Sequence, residues 1–428
     1  MNTTLLRKRK PLSAYPTLNL TGSGVALIAV CYGLARFGFG FFTPVFRTEF
    51  SLSPSTVGIF ASASYIAYCV AIIMATLLTA TLGARNLIIA SGILAAASMT
   101  GIAVAPNATV LGIAVGATGL CTGLVSPPLA TVVAESVAQK YQNRVQTVVN
   151  SGSGVGVVIS VPIALMAASQ WRIAWLLFAV LAVGATIWIS LSAPKRTPNS
   201  APPFQIERRS FKARWLPRPL FPSGSARLLI ASALLGASST AMLTFGREFL
   251  VTIGEHSANV TTAAWVLLGA TGLVGAAAGS LTSHFGLMTC WLFGSLSVSA
   301  ASVMLVLAPH SAILGLLSMA LFGAAYTTAA GFLLIWSTQV YYRSQSVGVG
   351  MAFLVIALGQ AAATPALGLL MDHYGAAMPF YVAAGFSLAA CAIKPRFSVT
   401  PITMLMEIIP LPPAPSHKST EQAPCFTE

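Results

Sequence analysis

The sequence predicts an all-α integral membrane protein whose twelve spans form two pseudo-symmetric bundles of six. Three observations predict it: too few charges to coat a soluble particle, a series of apolar runs of spanning length, and an internal repeat at one fixed offset. Of 428 residues 56% are hydrophobic and 7% charged, whereas a soluble domain carries about 25% charge. So few charges cannot cover a water-facing surface of this size, so the apolar excess faces lipid.

A span needs roughly 20 apolar residues, since a helix rises 1.5 Å per residue across a core of about 30 Å. Apolar runs fall at 23–45, 57–79, 87–105, 110–133, 146–168 and 172–193, and then at 227–250, 261–281, 288–308, 312–336, 347–370 and 378–393. The last is short before Lys394-Pro395, so it is the weakest span and thins the bilayer locally. Arg7 to Lys10 ahead of the first run has the order of a signal peptide, yet the run is longer than a secretory apolar core and eleven more follow. We expect an uncleaved first span.

The organisation expected is a cytoplasmic segment (1–22), a six-helix half (23–193), a basic linker (194–226), a second six-helix half (227–393) and a disordered, proline-rich tail (394–428). Placing the amino terminus inside puts 19 of the 23 Lys and Arg on the cytoplasmic side, with Arg47 and Arg172 in outer loops and Arg36 and Arg247 inside spans. That bias orients both termini toward the cytoplasm and places the chain in the cytoplasmic membrane. The net charge of +14 sits in short loops and does not interleave with aromatics on one face, which argues against nucleic acid. Six scattered cysteines without a CxxC pair or nearby histidines predict neither a metal site nor a disulfide framework, and no cofactor motif is present.

The halves repeat. Ala105-Pro106-Asn107 with Leu111-Gly112 recurs as Ala308-Pro309-His310 with Leu314-Gly315, a shift of 203 residues. Thr79 to Gly83 recurs as Thr282 to Gly286, Gly156 as Gly359, and Pro162 as Pro365, all at the same 203. Two halves of equal span number and one orientation are related by an axis along the membrane normal, and their interface forms a central pathway.

These features resemble the major facilitator superfamily over about residues 20–395. Between spans two and three, Ala80-Thr81-Leu82-Gly83-Ala84-Arg85 keeps the family's glycine and last arginine and lacks its aspartate. Span four keeps Gly119 and Gly123, with Val115 where the family places an arginine. Gly152 through Pro162 is similar to the glycine and proline motif of the family's antiporters. Trp171-Arg172 and Gly368 to Asp372 with Gly375 are further matches, and Leu34 to Phe39 with Pro44 resembles the YbfB/YjiJ-like branch. The resemblance implies a secondary active transporter, permease or exporter, that moves a small solute by alternating access. It also implies Arg85 as a gating residue. A solute receptor without flux is the first alternative and an intramembrane enzyme the second, although HExxH, paired intramembrane aspartates and a GxSxG elbow are missing.

Within this frame Arg36 lies mid-span, where a charge costs about 2.5–3.5 kcal/mol on insertion scales. Tyr32 and Thr43 share its helical face, suiting a water-filled cavity; a clasp on carbonyls near Gly33, Gly38 and Gly40 is the alternative. A guanidinium there with no acid at its depth favours an anionic solute. Tyr65 with Tyr68, Asn150 with Ser153, and Gln360 with Thr364 are polar groups at one-turn spacing that line the cavity or bond between helices. Arg247 and Glu248 form an outer gate or an interfacial ion pair, and Glu248 is the acid available if a proton or other ion couples transport. Pro162 and Pro365 kink their spans. The protein is expected to be monomeric, with lipid and its solute as partners.

Overall fold

The computed structural model describes residues 14–166, 170–194, 221–307, 309–342 and 345–395. The expected tail, most of the linker and the basic amino-terminal run lie outside the described residues. What is described is helical throughout, with short turns: α1 (Pro16–Phe50), α2 (Pro54–Leu82), α3 (Ala84–Ala103), α4 (Ala108–Ser136), α5 (Gln139–Asn150), α6 (Gly152–Met166) and α7 (Trp171–Ser192), then α8 (Ser225–Thr252), α9 (Ala258–Phe285), α10 (Leu287–Leu307), α11 (Ala312–Val340), α12 (Gln345–Tyr374) and α13 (Met378–Ala392). Among the described residues ten helices are long and apolar enough to cross a membrane by length and composition, and α13 is a shorter apolar helix.

Two elements depart from the apolar runs. The run expected at 146–168 is divided: α5 and α6 meet at Ser151, and α5 carries polar residues from Gln139 to Asn150 that hydropathy would not assign to a span. The first helix extends well beyond its run at 23–45, to Phe50, so that Arg47 lies on a helix and not in a loop.

Lipid-facing and protein-facing sides separate cleanly on α7. Val180 and Leu191 are 66% and 80% exposed while Trp175, Phe178, Ala182 and Ile189 are buried on the opposite face. A water-facing helix would carry charge where α7 carries leucine and valine. The first helix of each half is central instead, with 72% of the apolar stretch buried in α1 and 78% in α8, against 33–50% in the other spanning candidates.

Close glycine approaches hold each half together, and they recur at the spacing of the repeat. A Cβ at Gly33 of α1 would overlap the Gly156 Cα of α6, and one at Gly236 of α8 would overlap the Ile356 carbonyl oxygen of α12. Gly156 itself meets Ala29 of α1, and Gly359 meets Ala233 of α8. One residue off that spacing, Gly119 of α4 lies on the Ser64 carbonyl of α2, and Gly323 of α11 lies on the Leu268 carbonyl of α9. Only a residue without a side chain allows backbones this close. Gly83 and Gly286, 203 residues apart, end α2 and α9 with φ of 84° and 77°. Asn107 and Ser311 cap the start of α4 and α11 through Val110 N and Leu314 N.

Contacts between the halves concentrate toward one end, where α1 turns into α2 and α12 into α13. Gly40 of α1 abuts the Leu243 carbonyl of α8, and Phe41 packs edge-on to Trp265 of α9 at 6.1 Å. A seam between α2 and α12 continues inward through Gly368 on Pro54, Gly58 on Thr364 and Pro365, Ser62 Oγ donating to the Ala361 carbonyl at 2.7 Å, and Cys69 Sγ toward Leu354.

Candidate functional site

Arg36 ends a π-helical stretch, Ala29–Arg36, inside α1. Such wide turns are rare and concentrate at functional sites, because they re-aim a side chain without ending the helix. Here the stretch coincides with the Gly33 crossing on α6, and a second one, Ala241–Phe245, interrupts α8. The guanidinium of Arg36 emerges over three rings, with centroids at 4.5 Å for Tyr68, 4.9 Å for Tyr65 and 6.0 Å for Tyr32.

One terminal nitrogen of Arg36 crosses to the other half and donates to Gln360 Oε1 at 3.0 Å. The Gln360 amide nitrogen then donates to Ser239 Oγ at 3.0 Å and to the Tyr326 hydroxyl at 3.2 Å. An amide has one accepting and one donating end, so this network fixes its oxygen toward Arg36. Tyr32 shares a 2.9 Å hydrogen bond with Ser126 of α4, beside the pair of prolines in that helix. The cluster thus draws on α1, α2, α4, α8, α11 and α12, from both halves.

Cation–π attraction contributes about 0.5–2 kcal/mol per face and the charged hydrogen bond about 1.5–3 kcal/mol. Together these offset the cost of an arginine at mid-depth without any carboxylate. Among the described residues no carboxylate contacts it, and the guanidinium borders the space between the halves. That space is small in this conformation: the chamber of about 20 Å³ bounded by Arg36, Gly40, Tyr65, Leu243 and Thr244 admits little more than one water.

The remaining predicted residues lie elsewhere. Thr43 is buried and bonds the Phe39 carbonyl of its own helix. Thr364 bonds the Gln360 carbonyl and sits at the Gly58 crossing with Pro365. Asn150 is exposed at the end of α5, receiving Gln146 at 3.3 Å, and Ser153 bonds the Asn150 carbonyl. Pro162 is exposed on α6. Arg85 donates to the Ser190 and Ala193 carbonyls at 2.6 and 3.2 Å, joining α3 to the end of α7 within one half.

A second inter-half cluster lies at the closed end. Glu248 of α8 is fully buried and ion-pairs with Arg47 of α1, while Arg247 donates to the Phe41 carbonyl at 2.5 Å and lies 3.9 Å over the Phe41 ring. Asp372 accepts from Ser55 N at 3.0 Å, so the end of α12 caps the start of α2. Arg247 and Glu248 therefore each engage α1. Arg47, Tyr326 and Ser239 were not among the sequence candidates, and no local signal marks them, because their partners lie 201, 34 and 121 residues away along the chain.

The Major Facilitator Superfamily family model matches residues 25–353. No curated protein matches the sequence. Among solved structures, a D-xylose-proton symporter superposes with a TM-score of 0.72 at 15% identity, covering 90% of this chain and 98% of that one. A point mutant of the nucleoside transporter NupG gives 0.71 at 13% identity over 87% and 98%. A bacterial homologue of the human lysosomal transporter Spinster, in an inward-facing and occupied conformation, gives 0.67 at 14% over 90% and 96%. At such identities the likeness is one of fold.

Proposed function

The chain belongs to the major facilitator superfamily, and on that premise we propose that it carries a small organic anion, with a carboxylate or phosphate group, on the Arg36 fork between the halves. It is a multi-pass membrane protein and a secondary active transporter, not an enzyme. The observation that carries the anion reading is Arg36, held by tyrosine faces and the Gln360 oxygen with no acid in contact among the described residues. A planar guanidinium presents paired donors that match a carboxylate or phosphate, and the aromatic walls accept the substrate's apolar body.

The architecture proposed is twelve spans in two six-helix halves, with α5 and α6 together forming the fifth. In this reading both termini are cytoplasmic, the membrane is the cytoplasmic one, and the closed end is extracytoplasmic, as the basic linker and loops favour. The carrier works as a monomer: the halves rock about the α2–α12 seam and the contact of Gly154 on α6 with Gly269 on α9, so that the Arg36 site faces the two sides in turn. Pro162 and Pro365 bend the spans that line these seams, and Arg85 keeps α3 and α7 moving as one body.

The test is a thermal-shift panel on the purified protein in detergent, with small carboxylates, organic phosphates, sugars, nucleosides and organic cations. Stabilisation by a carboxylate or phosphate that also drives counterflow in proteoliposomes supports the reading. Hits confined to sugars, nucleosides or cations overturn it.

A further inference from the structure

We propose that the second half holds one acyl chain of a membrane phospholipid in a lateral groove between α9, α10 and α11, where the chain acts as a wedge between α9 and α11. The inference rests on reading these helices as spans and not on the anion at Arg36.

The groove has a volume of about 400 Å³, and its walls include Phe285 of α9, Phe293 and Ser297 of α10, and Leu321, Ala324 and Thr328 of α11. Phe285 and Phe293 form its rims and are each 63% exposed. The two halves differ here, and the sequence explains why. The paired turns at Gly83 and Gly286 set α3 against α10, and the paired crossings at Gly119 and Gly323 set α4 against α11. On that pairing the first half carries half-buried leucines, Leu94, Leu120 and Leu124, where the second carries Ser297, Ala324 and Thr328. Four residues beyond those crossings, Gly123 of α4 lies on the Tyr68 carbonyl of α2, whereas α11 carries Thr327, against Gly275 of α9. From Gly272 to Ala277 α9 tightens into a 3-10 helix with no residue buried, while α2 stays α-helical over Pro54–Leu82. Lost side-chain volume on two helices and an interrupted third leave the groove.

Its dimensions select the occupant. Along α11 the walls run from Leu321 to Phe332, a rise of about 16 Å, which is close to half of a hydrocarbon core of about 30 Å. The groove therefore follows one leaflet, from mid-depth to the α9–α10 turn, where Ser283, His284 and Thr289 are exposed at head-group level. A volume of about 400 Å³ over that length gives a section of roughly 25 Å², whereas an α-helix with its side chains needs roughly 80 Å² or more. A slender, flexible chain enters such a slot; a helix of a second copy does not. Because hydrocarbon already surrounds the protein, the gain is not hydrophobic transfer but the dispersion contact that an empty gap forfeits. The wedge also lies between two helices with work elsewhere. Gly269 of α9 meets Val157 of α6 in the other half, and Tyr326 of α11 accepts from Gln360, the partner of Arg36.

The experiment is photo-crosslinking of the full chain in nanodiscs that contain a phosphatidylethanolamine with a diazirine midway along one acyl chain, the adducts being mapped by peptide mass spectrometry. Adducts at Phe293, Ser297, Ala324 and Thr328 should exceed those at the matching first-half positions Ala90, Leu94, Leu120 and Leu124 by about tenfold, a preference of about 1.4 kcal/mol. Ser297→Leu combined with Ala324→Leu, which installs the first half's residues, should abolish that excess. Adding long-chain phospholipid to the purified protein in detergent should raise its melting temperature, and should do so less in the double variant. Equal labelling of the two halves in the unaltered protein overturns the proposal, as does an excess that persists in the double variant. So does a photoreactive residue at Phe293 that crosslinks to a second copy of the chain in place of lipid. If the double variant does not fold, the comparison between halves in the unaltered protein decides alone. None of these outcomes bears on whether carboxylates bind at Arg36, which the solute panel decides separately.

Discussion

The centre and the closed end of this protein both hold a partly buried arginine on α1 that reaches across to the other half, and they satisfy it by opposite means. Arg36 rests on three tyrosines and an amide oxygen, whereas Arg47 meets a buried carboxylate. Neutral partners hold a guanidinium in place while leaving its charge for a ligand; a carboxylate cancels it. In the proposed reading the first arrangement suits a site that is filled and emptied, and the second a contact between the two halves.

The largest effect expected from this contrast falls at the centre. Arg36→Ala and Arg36→Lys should both lower the initial rate of solute uptake into proteoliposomes by about 100-fold or more, at normal membrane levels, because a desolvated charge-assisted contact of about 3 kcal/mol or more is lost and lysine lacks the fork. Arg247→Ala, which removes a contact to a backbone carbonyl and no substrate contact, should cost distinctly less in the same assay. If Arg36→Ala transports normally, the clasp reading of Arg36 replaces the site reading.

Next comes the closed end. Glu248→Arg should place like charges together and raise the accessibility of Phe41-flanking positions to an impermeant reagent by about tenfold, and the added change Arg47→Glu should recover much of the closure, the two sites coupling by about 0.5–3 kcal/mol. Without recovery in the double variant, the pair does not hold the two halves together at this end. A smaller loss, about tenfold in apparent affinity, is expected for Gln360→Ala, which removes the cross-half bond from Arg36 to Gln360 while leaving the tyrosine faces.

The smallest effect is one of packing. Gly33→Ala should destabilise the purified protein by about 1–3 kcal/mol, since the added methyl would overlap the backbone of α6. Gly385→Ala, with nothing within 4 Å of the new atom, should be neutral or stabilising by up to about 1 kcal/mol. Melting curves in one detergent compare them directly.

Much of the fold was legible because lipid imposes it. Spanning length and the scarcity of charge delimited most helices, and the matches at 203 residues anticipated the paired glycine crossings at Gly156 and Gly359 and the paired turns at Gly83 and Gly286. Hydropathy failed at α5, whose polar sequence hides a helix, and at the end of α1, where Arg47 looked like a loop residue because charge normally ends a span. At the site, Arg36, Tyr32, Tyr65, Tyr68 and Gln360 come together. Thr43, Asn150 and Thr364 satisfy themselves within their own helices and Ser153 on the last carbonyl of the adjoining α5, which one-turn spacing cannot distinguish from facing a cavity. The pairing of Arg47 with Glu248 depends on how two halves dock, and no periodicity within either helix encodes it.

The central claim, that Arg36 makes the site selective for an anion, is tested most directly by measuring the binding of one solute pair, a carboxylate and its isosteric carboxamide, to the purified protein and to Arg36→Ala. The account predicts that the carboxylate binds the unaltered protein at least about 100-fold more tightly than the amide, a difference of about 2.7 kcal/mol, and that the preference disappears in Arg36→Ala. Equal binding of acid and amide to the unaltered protein, or a preference that persists without the arginine, would contradict it.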